Sequence, residues 1–242
     1  LKMAFSLHLH LFSEHVSSIR DRVSEMREPP LGLDKVPHPA LDRFLEEIKY
    51  APTPEELVLG IYEKAVPSLL ASIKKHMAET HRLFDHPTYR ICRFMKIEIE
   101  EILEYGEKVI EAIVTDESRK KAGPWLEELD QCLEMCGGFD GSAENKDGEL
   151  PARYSEQKFN IKLEPQRDER FIDPYNQGVN AEAFLFDPDY SPQAKTLMLY
   201  FKRMREIDVP EMMAPLIYEE DQKPDGYMKD MCRQLWDEAR HA

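Results

Sequence analysis

The chain ends with LWDEARHA (235–242), which places a carboxylate and an imidazole three residues apart, as Glu238 and His241. In an α-helix, two residues at this spacing lie on the same face. Glu-x-x-His on one helix face is an arrangement that holds metal ions inside helix bundles. The same two residue types also occur on solvent-facing helix ends, so the chemistry depends on the face that they occupy.

The apolar residues before the pair predict which face that is. In the last helix the apolar line runs through Met228, Met231 and Leu235, and its next steps are Glu238 and His241. A carboxylate on a core-facing line is costly unless a cation or another partner neutralises it. We therefore predict that Glu238 and His241 are metal ligands.

An internal repeat extends this pattern to a second helix pair. Residues 63–71 align with residues 206–214, including a proline at the same step, and residues 92–101 align with residues 232–241, including a shared Cys-Arg pair. Repeated helical hairpins bury their apolar faces against each other. The repeat therefore predicts two helix pairs packed about a pseudo-twofold axis.

The repeat also predicts further ligands. It sets Glu98 against Glu238, and Glu101 against His241. If the two hairpins face each other, these side chains meet at one level of the bundle. A pair of divalent metal ions is the simplest group of cations that neutralises them all.

With these motifs, the chain resembles the ferritin-like superfamily of carboxylate-bridged di-iron four-helix bundles. That superfamily supplies one Glu from each of two helices and Glu-x-x-His from each of the other two. Glu238-Ala-Arg-His241 matches one such motif, and Glu98-Ile-Glu-Glu101 takes the place of the other, with Glu101 at the histidine position. The resemblance covers roughly residues 53–115 and 191–242. It implies a di-iron or di-manganese oxidoreductase that activates O2 or peroxide.

The two single-Glu helices match the superfamily less well. In the second hairpin we predict Glu211 as the ligand, with Glu206 as the alternative. In the first hairpin Ser68 stands where Glu211 stands in the second. Glu63 aligns with Glu206 but lies about 16 Å too far along its helix at 1.5 Å per residue. Two other side chains of that helix could reach the site, His76 and Glu79.

The departure at Ser68 leaves a second interpretation open. In it, a degenerate bundle has kept the fold, lost the metal and serves as a structural or protein-interaction subunit. The buried carboxylates would then pair with arginines, for which the candidates are Arg93, Arg233 and Arg240. Either interpretation allows a homo-oligomer or another protein partner.

Composition limits the remaining classes of function. The net charge is −15 over 242 residues, which disfavours nucleic acid and anionic membrane surfaces as partners. The four cysteines are too few for a disulfide scaffold, and no run approaches the length of a membrane helix. We therefore expect a cytoplasmic protein with reduced thiols. No glycine-rich phosphate loop or serine-hydrolase elbow is present.

The predicted elements give an all-α, ferritin-like four-helix bundle. Residues 1–52 form an N-terminal helical arm that wraps the core, residues 53–115 the first helix pair, residues 116–190 a crossover, and residues 191–242 the second pair. We expect the natural protein to continue past the last residue given.

Local signals place the individual helices. Thr53, followed by proline and two glutamates, predicts an N-cap. The helix that it begins should run to about Phe84, with a kink at Pro67. In the crossover we predict a short helix from about Pro124 to Met135. The pieces FNIKL and AFLF (159–163 and 183–186) have weak strand character.

Overall fold

In the computed structural model the chain is built of α-helices. The structure describes residues 1–27, 32–146, 148–155, 157–161, 181–220 and 222–241. Across these ranges there is no β-strand, which confirms the predicted all-α class. No helix within them has an apolar stretch long enough to cross a membrane.

The α-helices of the described residues are, in chain order, α1 (Lys2–Met26), α2 (Pro39–Lys49), α3 (Pro54–Leu59), α4 (Val66–Glu79), α5 (His86–Ile113), α6 (Asp116–Met135), α7 (Ala181–Phe186), α8 (Pro192–Arg203), α9 (Asp208–Glu219) and α10 (Asp225–His241). A π-helical segment, Gly60–Ala65, joins α3 to α4, and a 3-10 turn, Met204–Ile207, joins α8 to α9.

The helix that begins at Thr53 starts as predicted and ends earlier than predicted. The Thr53 side chain accepts a hydrogen bond from the Glu56 backbone N–H at 3.3 Å, which confirms the N-cap. The expected irregularity near Pro67 takes the form of the π-helical segment just before it. Because proline has no N–H to donate, a widened turn accommodates it. The helix ends at Glu79, before Thr80 turns extended, and not at about Phe84.

Two predictions for the crossover are corrected by the structure. The helix expected from about Pro124 begins eight residues earlier, at Asp116, because Thr115 and Ser118 form a capping box. AFLF is helical, within α7, so the strand prediction there is wrong. Short apolar runs do not distinguish strand from helix by periodicity alone. Phe159, Asn160 and Ile161 of FNIKL are not in a strand, and the rest of that piece lies outside the described residues.

The contacts divide the chain into two units. We call Leu1–Ser17 with Ile161–Ala242 the terminal unit, and Ser18–Asn160 the central unit. Helix pairs α4–α5 and α9–α10 each pack together as hairpins, α4–α5 in the central unit and α9–α10 in the terminal unit. The ferritin-like packing of one hairpin on the other stays a prediction, as do the sequence-based domain boundaries.

The core of the central unit is formed by α2, α3 and α6. Phe44, Trp125 and Leu129 have no exposed surface, and Ala40 beside them is equally buried. The segment that we interpreted as a wrapping arm therefore contributes core residues through α2. Arg22, on the last turns of α1, donates to Asp85 at 3.0 Å at the start of α5.

The core of the terminal unit lies between α9 and α10. Met213 and Ile217 of α9 pack with Cys232 and Leu235 of α10, and all four side chains are buried. This packing orients α10 and so decides where the side chains that follow Leu235 point. The first half of α1 belongs to the same unit, in which Glu14 pairs with Lys229 at 3.2 Å.

Candidate metal site

The terminal unit brings Glu238 and His241 together with a third ligand-type residue. Leu235 packs in the α9–α10 core and Ala239 is also buried, whereas Glu238 and His241, on the same last turns of α10, are partly exposed. Glu206 belongs to the 3-10 turn between α8 and α9, and this turn packs against α10. Two sequence-distant segments therefore converge at one end of this unit.

The three side chains form a compact set of ligand atoms. One oxygen each of Glu206 and Glu238 and one imidazole nitrogen of His241 all lie within 4.8 Å of one another. His241 Nδ1 lies 3.5 Å from Glu238 Oε2. The glutamate side chains are 30% and 23% exposed and the imidazole is 50% exposed, so the set is open to solvent on one side.

This donor set suits a divalent transition metal. Imidazole nitrogen and carboxylate oxygen both bind iron, manganese and zinc. Ligand atoms held at about 2.1 Å from one ion stand about 3 Å apart at right angles, so the three must close together by an ångström or two. The partly exposed side chains can make such a movement by rotating about their own bonds. Three protein ligands on one side would leave coordination positions open toward solvent.

The nearest charged neighbours act on the carboxylates in different ways. Arg203 Nη1 lies 3.3 Å from Glu206 Oε1, so a metal ion would compete with this guanidinium for the carboxylate. Arg240, which we considered as a partner for Glu238, contacts Asp237 instead, and its guanidinium carbon lies over the Trp236 ring, 5.3 Å from the ring centroid.

Glu211, our preferred second-hairpin ligand, lies outside this set. It is on α9, and its side chain is only 8% exposed. Its carboxylate accepts a hydrogen bond from Lys2 Nζ at 3.3 Å. Glu211 lies five positions after Glu206, and this offset points the two side chains to different sides of the helical axis. The structure thus groups the alternative residue, Glu206, with Glu238 and His241, and ligation by any of them stays a prediction.

The first-hairpin candidates lie in the central unit. Glu98 is half-buried on α5, and Glu101 is exposed. Their neighbour Glu100 pairs with Lys74 at 3.0 Å and with Lys96 at 2.9 Å. Within the ranges that the structure describes, no group of three ligand-type residues includes Glu98 or Glu101. Their role as ligands stays a prediction.

The other side chains considered for the first hairpin have different surroundings. Glu63 pairs with Arg119 at 2.8 Å. The hydroxyl of Ser68 donates to the Lys64 carbonyl at 2.7 Å, as small polar residues inside helices often do. His76 and Glu79 are both exposed.

The chain was compared with known proteins at three levels. It matches no protein-family model, no curated protein and no solved structure.

Proposed function

We propose that this protein binds a divalent transition-metal ion, iron or manganese, through Glu206, Glu238 and His241. The observation that carries the proposal is the convergence of these three ligand atoms within 4.8 Å. Two of the three were predicted from their spacing and from the apolar line that precedes them. Their mixed oxygen and nitrogen donors favour these metals over calcium or magnesium, which prefer oxygen alone.

The resemblance to ferritin-like di-iron bundles suggests a larger form of the same site. In that form Glu98, Glu101 and Glu211 would add carboxylates, and the site would hold two ions. A bound iron or manganese centre with an open position would supply oxidoreductase chemistry toward O2 or peroxide. The protein residues would hold the ions, and the half-exposed His241 would leave one side of the site accessible.

A metal-free scaffold is the second candidate function, and specific contacts favour it. Arg203 neutralises Glu206, and Lys2 neutralises Glu211, without any metal. In this case the helical fold would serve as a structural or protein-interaction subunit. The two proposals make opposite predictions about metal content.

The metal content of the full-length protein distinguishes the metal-binding proposal from the metal-free scaffold. The protein should be purified, offered iron(II) or manganese(II) under anaerobic conditions, desalted and analysed for bound metal. We expect about one equivalent, which the Glu206→Gln change and the Glu238→Ala/His241→Ala double change each abolish. Glu211→Gln is the matched control, because Glu211 lies on the neighbouring helix outside the ligand set and should leave binding intact.

Each other outcome has a clear meaning. About two equivalents, reduced to one by Glu98→Gln or Glu101→Gln, would support the di-metal form. Loss of metal in Glu211→Gln but not in Glu206→Gln would reverse the choice between these two residues. A folded protein that retains no metal would refute the metal-binding proposal and support the scaffold.

A further inference from the structure

Two buried glutamates hold one short segment of the central unit. Glu47 on α2 is completely buried and Glu128 on α6 is 5% exposed. The backbone N–H of Tyr154 donates to Glu128 Oε2 at 2.8 Å, and the next N–H, that of Ser155, donates to Glu47 Oε2 at 3.0 Å. The segment from Pro151 to Ser155 is therefore bound to both helices through adjacent amides.

The second oxygen of each carboxylate lacks a hydrogen-bond donor. Glu47 Oε1 and Glu128 Oε1 are buried, and no described group donates to either. Arg153 Nε lies 3.6 Å from Glu47 Oε1, and Arg43 Nη1 lies 3.7 Å from Glu128 Oε1, which are ion-pair distances but too long for hydrogen bonds. A buried acceptor without a donor is destabilising, and native proteins rarely keep one.

Both arginines make their hydrogen bonds elsewhere. Arg43 donates to the Pro151 carbonyl at 3.1 Å, and Arg153 donates to Glu46. A third carboxylate, Glu56 on α3, accepts from the Tyr154 hydroxyl at 3.1 Å. The π-helical segment presents no free charge to this cluster, because Lys64 pairs with Asp130 and Glu63 with Arg119.

These surroundings contain more negative than positive charge. Among the described residues, Arg43 pairs with Glu128, Arg153 pairs with Glu46 and Glu47, and Glu56 adds a fourth carboxylate through the Tyr154 hydroxyl. Burial is the main cause that raises the pKa of Glu128, and the charge of Glu47 raises it further, while the Tyr154 amide, Arg43 and Arg153 lower it. The net effect is a raised pKa, so the neutral form of Glu128 is favoured relative to an exposed glutamate.

We propose that Glu128 is a neutral carboxylic acid that donates its proton to the Glu47 carboxylate, and that this pair is a latch holding Pro151–Ser155 on α2 and α6. A proton on Glu128 Oε1 turns this atom from an acceptor without a donor into a donor, and Glu47 Oε1 is the buried acceptor that lacks one. The proton also lowers the negative charge of the cluster by one. The latch belongs to the central unit and is independent of the metal site.

The latch has a defined response to pH. Glu128 binds its proton more tightly in the folded state than in the unfolded state. Its stabilising contribution is therefore complete at low pH and is lost as the pH rises from the ordinary glutamate pKa through the raised one. Above that range two carboxylates of like charge would face each other, and the segment they hold should loosen.

Carbon-13 NMR of glutamate side chains tests the protonation directly. In the full-length protein labelled at glutamate Cδ, we expect one carboxyl resonance that titrates above all the others. Glu128→Gln should remove that resonance, and Glu127→Gln, a change at the exposed neighbouring residue, should leave it. The proposal is overturned if every glutamate resonance in the native protein titrates in the ordinary range, or if the raised resonance persists in Glu128→Gln.

Amide hydrogen exchange tests the latch. After correction for the intrinsic pH dependence of exchange, protection at Tyr154 and Ser155 should fall as Glu128 ionises. In Glu128→Gln the neutral amide replaces the acid, keeps a donor toward Glu47, and should make this protection independent of pH. Protection that follows the same pH course in the native protein and in Glu128→Gln would show that Glu128 is not the latch.

Discussion

The contact of Gly106 with Tyr62 leads to a sharp prediction about stability. Gly106 lies inside α5, and a Cβ atom built there would stand 2.4 Å from Tyr62 Cγ and 2.6 Å from Tyr62 Cβ. These atoms are close to the tyrosine backbone, in the π-helical segment, so the ring cannot simply swing away. Tyr62 is only 4% exposed and makes an edge contact with Tyr105 at 6.3 Å between ring centroids.

Two opposing effects decide whether Gly106→Ala raises or lowers the free energy of unfolding. Replacing glycine by alanine inside a helix stabilises it by about 1 kcal/mol. Overpacking a well-filled core costs about 1–3 kcal/mol. Because the added Cβ would stand much closer to Tyr62 than ordinary van der Waals contact allows, we place the overpacking cost toward the upper end. Gly106→Ala should therefore destabilise the protein by about 1–2 kcal/mol.

A double-mutant cycle provides the assay. Urea unfolding of the full-length protein, followed by circular dichroism and tryptophan fluorescence, would be measured for Gly106→Ala, for Tyr62→Ala and for the pair. With the ring removed, Gly106→Ala should show only the helix-propensity gain of about 1 kcal/mol. A Gly106→Ala protein that is more stable than the native one with Tyr62 in place would refute the packing argument.

Two further predictions concern single residues. Burial lowers the pKa of His8 to about 4, so the folded state keeps this imidazole neutral while the unfolded state binds a proton below its ordinary pKa. Stability should therefore fall as the pH is lowered from about 6.5 to about 4; urea unfolding across that range should show a weaker fall for His8→Gln, and an unchanged fall would contradict this account. Thr115 caps α6 by accepting from the Ser118 N–H at 3.1 Å. Thr115→Ala should cost about 1 kcal/mol in the same assay and Thr115→Ser much less, whereas equal losses would mean that the hydroxyl does not act as the cap.

Capping signals in the sequence predicted a helix boundary where the capping residues follow a common pattern. Thr53 as an N-cap follows from a backbone rule that operates within a few residues. The start of α6 was missed because its capping box uses Ser118 where the common pattern has Glu or Gln. AFLF was misread because four apolar residues carry too little periodicity to separate strand from helix.

For the candidate metal site too, one part follows from the sequence and another part needed the tertiary structure. The placement of Glu238 and His241 on one face of α10 follows from helix geometry and the apolar line before them, and the structure agrees on their proximity. The choice between Glu206 and Glu211 could not be made from spacing, because it depends on the 3-10 turn that interrupts the helix before α9. Such a turn changes the direction of every side chain that follows it.

The sequence by itself determined the all-helical class, the helix start at Thr53 and the shared helix face of Glu238 and His241, because each depends on hydrogen bonds and side chains within one or two helical turns. The tertiary structure decided which distant residues meet. It brought Glu206 to α10, paired Glu211 with Lys2, and set Glu128 and Glu47 on two adjacent amides, those of Tyr154 and Ser155. These contacts join residues far apart in the chain, and only the packing of whole helices brings them together.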